Sequence, residues 1–409
     1  MCSQDSSNNK IEVVGGAYYE RCRYPNWDQI FGSGFRAVSV LRELSRNIEI
    51  IFHTYADNYV SSHLQMYEER LNYNPVVRKI PQSVCFSYLH SLHSPHMLTF
   101  CEGERPSPIK IIGKNCVLFG LVEGEAEVKC EWVVFDPQSP NTAHSFFDSG
   151  SQANHLAIVL NEKEAVALSG ELELPAMRDS IFSKEKCEVL VIKRGAKGAL
   201  VFDSRVSEGV QIPAYKTERV WTIGSGDVFT STFGYYWMIE RLDAVASAEK
   251  ASLVTACYCD SKRLTGMLAK IQNAQYEPFL PRKKGKVYLA GPLFTMPQLM
   301  FIDECRDSLR ELGCEVFSPY HDVGIGDALD VVPKDLSALD DCDVVFAILD
   351  GMDPGTVFEV GYAIAKAKKI VVFVQNESKT HLQMMVGTHC VIEDDFVTAM
   401  YKCVWCASE

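Results

Sequence analysis

The chain has 409 residues, of which 47% are hydrophobic and 23% charged, proportions of an ordinary soluble globular protein with room for two domains. They exclude a disordered, collagen-like or coiled-coil chain, and no run of eighteen uncharged apolar residues marks a membrane span. The net charge of −13 argues against general nucleic-acid binding. Residues 285–409 hold only 9 of the 40 Lys and Arg but 20 of the 53 Asp and Glu, a first sign of two units.

The first residues and the cysteines bear on the compartment. The first ten residues are polar and lack the apolar core of a signal peptide, so we expect a cytoplasmic protein. The fifteen cysteines are scattered, and a cytosolic chain would keep them reduced. Only Cys403 and Cys406 have a metal-like spacing. With His389 and Cys390 they could bind zinc; otherwise they are free thiols.

Strands and helices alternate from the first strand onward, which predicts an α/β fold. The apolar strand 11–14 is followed by two glycines and then by a helix over 34–46. Further strands are predicted around 48–54, 116–122, 131–135 and 190–193, and helices over 227–240 and 243–259. Residues 56–112 mix short polar and apolar pieces and indicate a lid or sheet flap.

Residues 278–285 contain two prolines, three basic residues and a glycine, a composition typical of a linker. Beyond them, strands 286–290, 315–317, 343–349 and 370–374 alternate with helices over 297–312 and 356–367, which predicts a second parallel sheet. We therefore predict a disordered N-terminus over 1–10, a first domain over 11–277, a linker over 278–285 and a second domain over 286–409.

Carboxylates follow the third strand of the second domain. Asp350 ends that strand, Asp353 lies in the next turn and Glu359 in the helix that follows, all at the edge where parallel sheets bind ligands. Thr356 and Glu359 have the spacing of a capping box, a purely structural alternative. Capping explains neither the two aspartates nor Asp335, which we expect at the start of the preceding helix. Such carboxylates suit chemistry on a glycosidic bond.

The motifs of this domain then match a family. Tyr288-Leu-Ala-Gly-Pro-Leu-Phe, Lys334-Asp-Leu and Asp350-Gly…Gly355-Thr-Val-Phe-Glu-Val-Gly-Tyr-Ala resemble nucleoside 2-deoxyribosyltransferases over about 286–400. The resemblance implies a Rossmann/flavodoxin-like sheet, cleavage or transfer of the base–sugar bond without a cofactor, and Glu359 as nucleophile.

The resemblance also implies roles for the neighbours of Glu359. Asp353 would orient the sugar hydroxyls, Asp335 would handle the proton of the base and Tyr288 would lie near the nucleophile, although Lys334 replaces an Asn of the motif. The remaining predicted substrate-binding residues are Gly291, Pro292, Asp350 and Gly355. The family completes its site with a neighbouring subunit, which implies a homo-oligomer.

A glycine-rich helix start in the first domain can hold a phosphate. In Trp221-Thr-Ile-Gly-Ser-Gly-Asp the backbone of Gly224, Ser225 and Gly226 could bind an anion, and Asp227 could deprotonate an attacking hydroxyl. A Gly-Ser-Gly turn before a helix is also common without function. Together with Asn161-x-x-Glu164 and the turn containing Gly195 and Gly198, the pattern resembles ribokinase-like (PfkB) kinases over about 10–275.

This second resemblance implies a three-layer α/β domain with a small lid, ATP and Mg²⁺ as cofactors, and a sugar- or nucleoside-type ligand. Asp227 would be the catalytic base, while Asn161 and Glu164 would organise Mg²⁺ and phosphates without a direct protein–metal site. The acceptor motifs depart from the family: the sugar-binding Asp is Glu20 at best, and Arg36 stands where Asn is expected. Either the acceptor is unusual, with Arg36 facing an anion, or the domain binds without turnover.

Three hypotheses remain open from the sequence: a bifunctional salvage enzyme, a nucleotide-depleting N-glycosidase gated by a non-catalytic kinase-like sensor, and a scaffold with two inactive sites. All three involve small nucleoside, nucleotide or sugar ligands and no membrane. His90, His93 and His96 could be metal ligands, but their Ser-Pro context favours a polar lid segment.

Overall fold

A computed structural model describes residues 9–99, 106–138, 144–206, 208–273 and 275–409. The chain divides into two compact units: the first extends to Glu277 apart from residues 195–197 and 218–220, which group with the second, Pro278–Glu409. The predicted disordered segment 1–10 falls largely on residues 1–8, outside the described residues, and Lys10 already belongs to the first strand.

The first unit is organised around a nine-stranded sheet. Its strands are β1 (Lys10–Val14), β4 (Glu49–Ala56), β5 (Asn74–Lys79), β8 (Ile109–Phe119), β9 (Ala126–Asp136), β10 (Gln152–Asn161), β11 (Val189–Lys193), β12 (Ala199–Asp203) and β13 (Val210–Ile212). They lie in the order β13-β12-β11-β10-β9-β8-β1-β4-β5. The seven strands from β11 to β5 are parallel, and β12 and β13 are antiparallel at one edge.

Helices cover both faces of this sheet. They are α1 (Gly32–Leu44), α2 (Asn58–Leu71), α3 (Glu162–Ser169), α4 (Leu174–Glu185), α5 (Ser225–Gly234), α6 (Ala244–Ser261) and α7 (Met267–Asn273), with a π-helical turn, Tyr235–Ile239, directly after α5. Val13 and Val159 point to one apolar core with α1 and α5, whereas Val14 and Ile158 point to another with α3 and α4. The predicted three-layer α/β arrangement is confirmed.

A four-stranded sheet forms the small lid, which is confirmed as part of the predicted fold class. It contains β2 (Tyr19–Cys22), β3 (Trp27–Ile30), β6 (Cys85–Tyr88) and β7 (His96–Thr99), in the order β3-β2-β6-β7. The segment 56–112, predicted as a lid or flap, contributes only part of its length to this lid. The rest includes α2 and β5 of the main sheet. Asp57 accepts the Val60 N–H and caps α2. Two further short strands are β14 (Ala214–Lys216) and β15 (Glu277–Phe279).

The second unit has an all-parallel sheet. Its strands are β16 (Lys286–Ala290), β17 (Glu315–Phe317), β18 (Val344–Ile348), β19 (Lys369–Phe373) and β20 (Val391–Glu393), in the order β17-β16-β18-β19-β20. Its helices are α8 (Met296–Glu311), α9 (Pro319–Asp322), α10 (Ala328–Asp341), α11 (Pro354–Ala365), α12 (Gln383–Gly387) and α13 (Phe396–Ser408).

This strand order, 2-1-3-4-5 within the unit, is the flavodoxin-like order, as predicted. Its switch point lies between β16 and β18, so a ligand crevice is expected at their carboxyl ends. Across the described residues of both units, none of the helices combines the length and the apolar character needed to cross a bilayer.

Candidate active sites

The second unit brings a tyrosine and a glutamate together at its switch point. Tyr288 lies in β16, whose side chains are almost wholly buried, and Glu359 lies in the second turn of α11. The Tyr288 hydroxyl donates a hydrogen bond to Glu359 Oε1 at 2.5 Å. One carboxylate oxygen is therefore held by the tyrosine, while Oε2 lies outside this bond.

The start of α11 differs from the capping box suggested by the sequence. Asp353 is the N-cap, and its Oδ2 accepts hydrogen bonds at 2.8 Å from both the N–H and the Oγ1–H of Thr356. The expectation of Thr356 as cap was wrong because Pro354, with its fixed φ, begins the helix two residues earlier. Glu359 is consequently not used to cap the helix and is available for chemistry.

Burial controls the charge of Glu359. It raises the pKa of this carboxyl group to about 7, and the nearby negative charges of Asp335 and Asp353 act in the same direction. The hydrogen bond from Tyr288 opposes the rise because it stabilises the carboxylate. Glu359 therefore changes between its neutral and ionised forms close to neutral pH, a range typical of groups that take part in catalysis.

Asp335 lies in the middle of α10, not at its start as expected. The helix begins earlier because Asp327 caps it by accepting the Leu329 N–H, and the helix continues through Pro333. The Oδ1 atom of Asp335 is buried and has no hydrogen-bond partner among the described residues. Burial also raises the pKa of this group. A partly buried carboxyl group with an unused oxygen and a raised pKa can carry a proton for transfer.

The other predicted residues of this site have packing reasons for their identity. Asp350 accepts hydrogen bonds from the backbone N–H groups of Gln375 and Asn376, so it connects the end of β18 to the loop after β19. A Cβ atom on Gly291 would lie 2.8 Å from Ile302 Cδ1. Their place in substrate binding stays a prediction, as does that of Pro292 beside them.

Gly355 lies directly beside Asp353. A Cβ atom there would lie 3.1 Å from Asp353 Oδ2, closer than nearly all real Cβ contacts. The glycine therefore leaves the Asp353 carboxylate uncrowded, which a role in contacting a sugar would require.

The role of nucleophile that the resemblance implies for Glu359 can be tested at Tyr288. Under that role, replacing Tyr288 by Phe should lower kcat/KM for base release by about 10- to 100-fold, because Glu359 loses its positioning hydrogen bond. The activity should fall as pH decreases through the pKa of Glu359, since only the carboxylate attacks. Loss of the donated bond raises that pKa, so the acid limb of the variant should move to higher pH. Tyr362→Phe is the matched control, because Tyr362 shares α11 but bonds to Asp340 instead.

The first unit assembles its glycine-rich helix start as predicted. Gly224 precedes α5 with a left-handed φ of +77°, and Ser225, Gly226 and Asp227 form the first turn of the helix. A Cβ atom on Gly226 would lie 3.3 Å from the ammonium nitrogen of Lys193. Lys193 comes from the end of β11, and sequence reasoning did not single it out. The helix start and this cation could together face a phosphate.

Asp227 is engaged by the chain's own residues. Its Oδ2 is 2.6 Å from Arg36 Nη1, and its Oδ1 accepts a hydrogen bond from Gln138 Nε2 at 2.6 Å. The second guanidinium nitrogen of Arg36, Nη2, is 2.5 Å from Glu20 Oε2. The sequence suggested that Arg36 would face an anionic ligand, but the structure places it between two carboxylates of the protein.

Asn161 and Glu164 form a complete capping box at the start of α3. Asn161 Oδ1 accepts the Glu164 N–H, and Glu164 Oε2 accepts the Asn161 N–H. Burial raises the pKa of Glu164 to about 7, with the negative charge of Asp136 adding to the rise and Lys193 opposing it. Gly198 has a structural reason of its own, because a Cβ atom there would lie 2.0 Å from the Ile212 carbonyl oxygen.

Asp136 is a second residue that the sequence analysis did not assign. It ends β9 and bonds to Lys193 Nζ at 2.5 Å and to Thr230 Oγ1 at 2.7 Å through Oδ2, while its Oδ1 is buried without a partner among the described residues. The sequence signal that could have identified Asp136 is a carboxylate at the end of a buried parallel strand. This unused oxygen, together with Lys193 and the start of α5, fits the cation and phosphates of a magnesium nucleotide.

Predicted metal-binding groups can also be located. Cys403 and Cys406 lie in α13, and neighbouring rings among His90, His93 and His96 have centroids 5.5–5.7 Å apart. Within the ranges that the structure describes, no group of three or more His, Cys, Asp or Glu side chains is placed to hold a metal ion.

Two protein families match this chain, one in each of its two units. Residues 126–270 match the pfkB family of carbohydrate kinases, and residues 287–398 match the nucleoside 2-deoxyribosyltransferases. Among curated proteins, an uncharacterized protein of Ureaplasma parvum serovar 3 is 28% identical over 105 residues, which span 22% of this chain and 65% of that protein.

Solved structures show the same fold for the first unit. A fructokinase from Vibrio cholerae O395, in a form with bound fructose, ADP and calcium, has a TM-score of 0.51 at 14% identity over 66% of this chain and 99% of that one. A double mutant of that fructokinase, in a form with bound fructose, ADP and potassium, gives a TM-score of 0.50 at 13% identity over 65% of this chain and 98% of that one. The chain therefore contains a ribokinase-like domain and a nucleoside 2-deoxyribosyltransferase-like domain, and both resemblances are confirmed.

Proposed function

We propose that the second domain cleaves or transfers the N-glycosidic bond of (deoxy)nucleosides or nucleotides through a covalent glycosyl–Glu359 intermediate. The observation that carries this proposal is the pairing of Glu359 with Tyr288 at the switch point of a parallel sheet. The family match and the nearby carboxylates of Asp335 and Asp353 support the same chemistry.

The first half of the reaction uses two carboxyl groups in different protonation states. Glu359 Oε2 attacks the anomeric carbon of the sugar while Tyr288 holds Oε1, so a carbon–oxygen bond forms as the carbon–nitrogen bond breaks. The electron pair of the broken bond leaves with the base, and Asp335 donates a proton to it. Asp353, held by Thr356, would contact the sugar hydroxyls and fix the orientation of the ring.

The second half returns the enzyme to its starting state. A second base or a water molecule attacks the anomeric carbon, and the bond to Glu359 breaks. Asp335, now ionised, accepts the proton that the attacking group loses. Transfer and hydrolysis thus share one intermediate and differ only in the acceptor, so this domain is both a transferase and an N-glycosidase in chemical terms, without a cofactor.

For the first domain, we propose binding of a sugar- or nucleoside-type ligand with ATP and Mg²⁺. The start of α5 and Lys193 would hold phosphates, and Asp136 and Glu164 would face the cation, directly or through water. When bound, the nucleotide would supply a transferable phosphoryl group. An alternative whole-chain function is a stress or defence effector that depletes nucleotides, with this domain as a non-catalytic sensor. The Arg36–Asp227 ion pair favours it.

Base release tests the proposal. The purified chain is incubated with a panel of deoxynucleosides, deoxynucleotides and NAD, with and without ATP, and free bases are separated by chromatography. We expect release that Glu359→Ala abolishes and Glu315→Gln preserves, since Glu315 is exposed in β17 outside the site. Steady ATP consumption would favour a salvage enzyme, whereas release that depends on ATP without consuming it would favour the sensor. No release from any substrate would contradict the proposed activity.

We further propose that the chain forms a homo-oligomer through its second domain. Elements next to the site expose large apolar side chains: Ile325 is 97% exposed and Leu329 86% exposed near the start of α10, and Phe358 is exposed beside Glu359 on α11. Clusters of exposed apolar residues are typical of protein interfaces.

Changing both Ile325 and Leu329 to Lys should therefore reduce the particle mass measured by light scattering after size-exclusion chromatography. Burying two new charges against a partner would cost more than the lost apolar contact alone. Leu172→Lys is the control, because Leu172 is similarly exposed but lies in the first domain. A wild-type protein that runs as a monomer, or a double variant with unchanged mass, would contradict this prediction.

A further inference from the structure

The strongest unexplained feature outside the glycosyl-transfer site is a buried ion triad in the first domain. Arg36, from α1, is only 1% exposed and is paired with Glu20 and Asp227, which are 4% and 8% exposed. The three residues come from α1, the lid strand β2 and the first turn of α5. The guanidinium group therefore connects the lid to the glycine-rich helix start.

Both oxygens of Asp227 are occupied. Oδ2 binds Arg36 and Oδ1 binds Gln138, each at 2.6 Å. A general base must place an oxygen within about 3 Å of the hydroxyl proton that it removes. An acceptor hydroxyl would therefore have to compete with these two side chains of the protein for Asp227.

Gly224 provides independent evidence for where the guanidinium lies. A Cβ atom at this position would be 2.1 Å from Arg36 Nε and 2.2 Å from Cζ, so only a glycine makes room for the arginine. The guanidinium also lies over the ring of Phe31, whose centroid is 5.1 Å from Cζ. Arg36 therefore fills the space beside Gly224, whereas Gly226 in the same helix start faces Lys193.

Glu20 completes the enclosure from the lid side. Besides its bond to Arg36 Nη2, it accepts the Gly32 N–H through Oε1 at 3.1 Å, at the first residue of α1. A planar guanidinium between two carboxylates is held in a fixed orientation by its forked hydrogen bonds. Removing it would leave two buried carboxylates without a counter-ion, which makes spontaneous departure of Arg36 costly.

From these contacts we infer that Arg36 is a built-in occupant of the acceptor position, so that the kinase-like domain binds ligands without transferring a phosphoryl group. The inference rests on the proposed kinase-like role of this domain and is independent of Glu359. It resolves the choice between turnover and sensing in favour of sensing. Lys193 and Asp136, which are proposed to bind the nucleotide and its cation, stay available to a nucleotide.

The test uses the full chain and compares wild type with Asp227→Asn. Each protein is incubated with γ-labelled ATP, Mg²⁺ and a panel of sugars, nucleosides and nucleotides, and labelled products are counted. We expect the two proteins to give the same background with every acceptor. Transfer by wild type about tenfold or more above Asp227→Asn, with any acceptor, would overturn the inference. Base release is measured on the same samples, so failure of the Glu359 proposal is seen separately.

A second readout tests the position of the guanidinium itself. Arg36→Ala should melt at a lower temperature than wild type, and millimolar guanidinium should raise the melting temperature of this variant but not of wild type. If Arg36→Ala does not fold, Arg36→Lys is used, because it keeps the charge but lacks the fork, and it too should melt lower. A melting temperature equal to that of wild type in the variant that folds would overturn the inference.

Discussion

Replacing Glu359 by Gln should abolish base release while making the protein more stable. The amide cannot form the glycosyl ester, so we expect a loss of activity of about 10³-fold or more. The variant should also gain about 2–3 kcal/mol of unfolding free energy at pH 8, because wild type must keep a partly buried carboxylate ionised there.

The sign of this stability effect follows from the raised pKa. A group with a pKa of about 7 in the folded chain and 4.5 in the unfolded chain binds its proton more tightly when folded. Its stabilising contribution is complete below pH 4.5 and is lost as pH rises through about 7. Glu359→Gln should therefore match wild type near pH 4.5 and exceed it above pH 7.

Urea denaturation under reducing conditions measures the unfolding free energy of variant and wild type at pH 5, where they should be similar, and at pH 8, where they should differ. Glu315→Gln is the control for an exposed glutamate. In Glu359→Gln the Tyr288 hydroxyl can still donate its hydrogen bond to the amide oxygen of the new side chain, so the local packing is kept. Equal stability of variant and wild type at pH 8 would show that the ionised, partly buried Glu359 carboxylate does not destabilise the fold.

The second large effect concerns Arg36. Its replacement by Ala should cost about 3–5 kcal/mol of unfolding free energy, because Glu20 and Asp227 then remain buried without their counter-ion. Arg205→Ala is the comparison for an exposed pair, since Arg205 and Asp203 are linked at the surface, and should lower the stability far less than Arg36→Ala.

Neutralising the whole triad should reverse most of the loss. In the triple variant Arg36→Met, Glu20→Gln, Asp227→Asn no buried charge lacks a partner, so its stability should return to within about 1–2 kcal/mol of wild type. Denaturation of the single and triple variants measures the difference. A triple variant less stable than Arg36→Ala would mean that shape, not charge, explains the effect.

Much of the architecture was predictable because its signals are local. Uninterrupted apolar strands such as Val344–Ile348 and glycine turns before helices are encoded within a few neighbouring residues. The lid was only partly predictable: β2 and β6 are distant in sequence and pair across the domain, which no local pattern reveals. Segment 56–112 was difficult to interpret for the same reason, although Asp57 is a residue type that favours the N-cap of a helix.

The sites divide in a similar way. Glu359 and Asp353 could be named from spacing, but the N-cap was misplaced because Pro354 shifts the helix start, and Asp335 was placed too early in its helix. The pairing of Arg36 with Asp227 could not be predicted, because Asp227 is 191 residues away in sequence and only the fold brings them together. Charge pairing over such separations depends on tertiary structure and leaves no periodic signal.

Intact-protein mass spectrometry during turnover, followed by peptide mapping, tests the central claim most directly. A deoxynucleoside that releases its base is mixed with the protein, and the reaction is quenched with acid within seconds. We expect a sugar adduct on the peptide that contains Glu359, which is absent from Glu359→Gln and present in the Glu315→Gln control. Base release with no adduct on that peptide, or an adduct that persists in Glu359→Gln, would contradict the covalent mechanism.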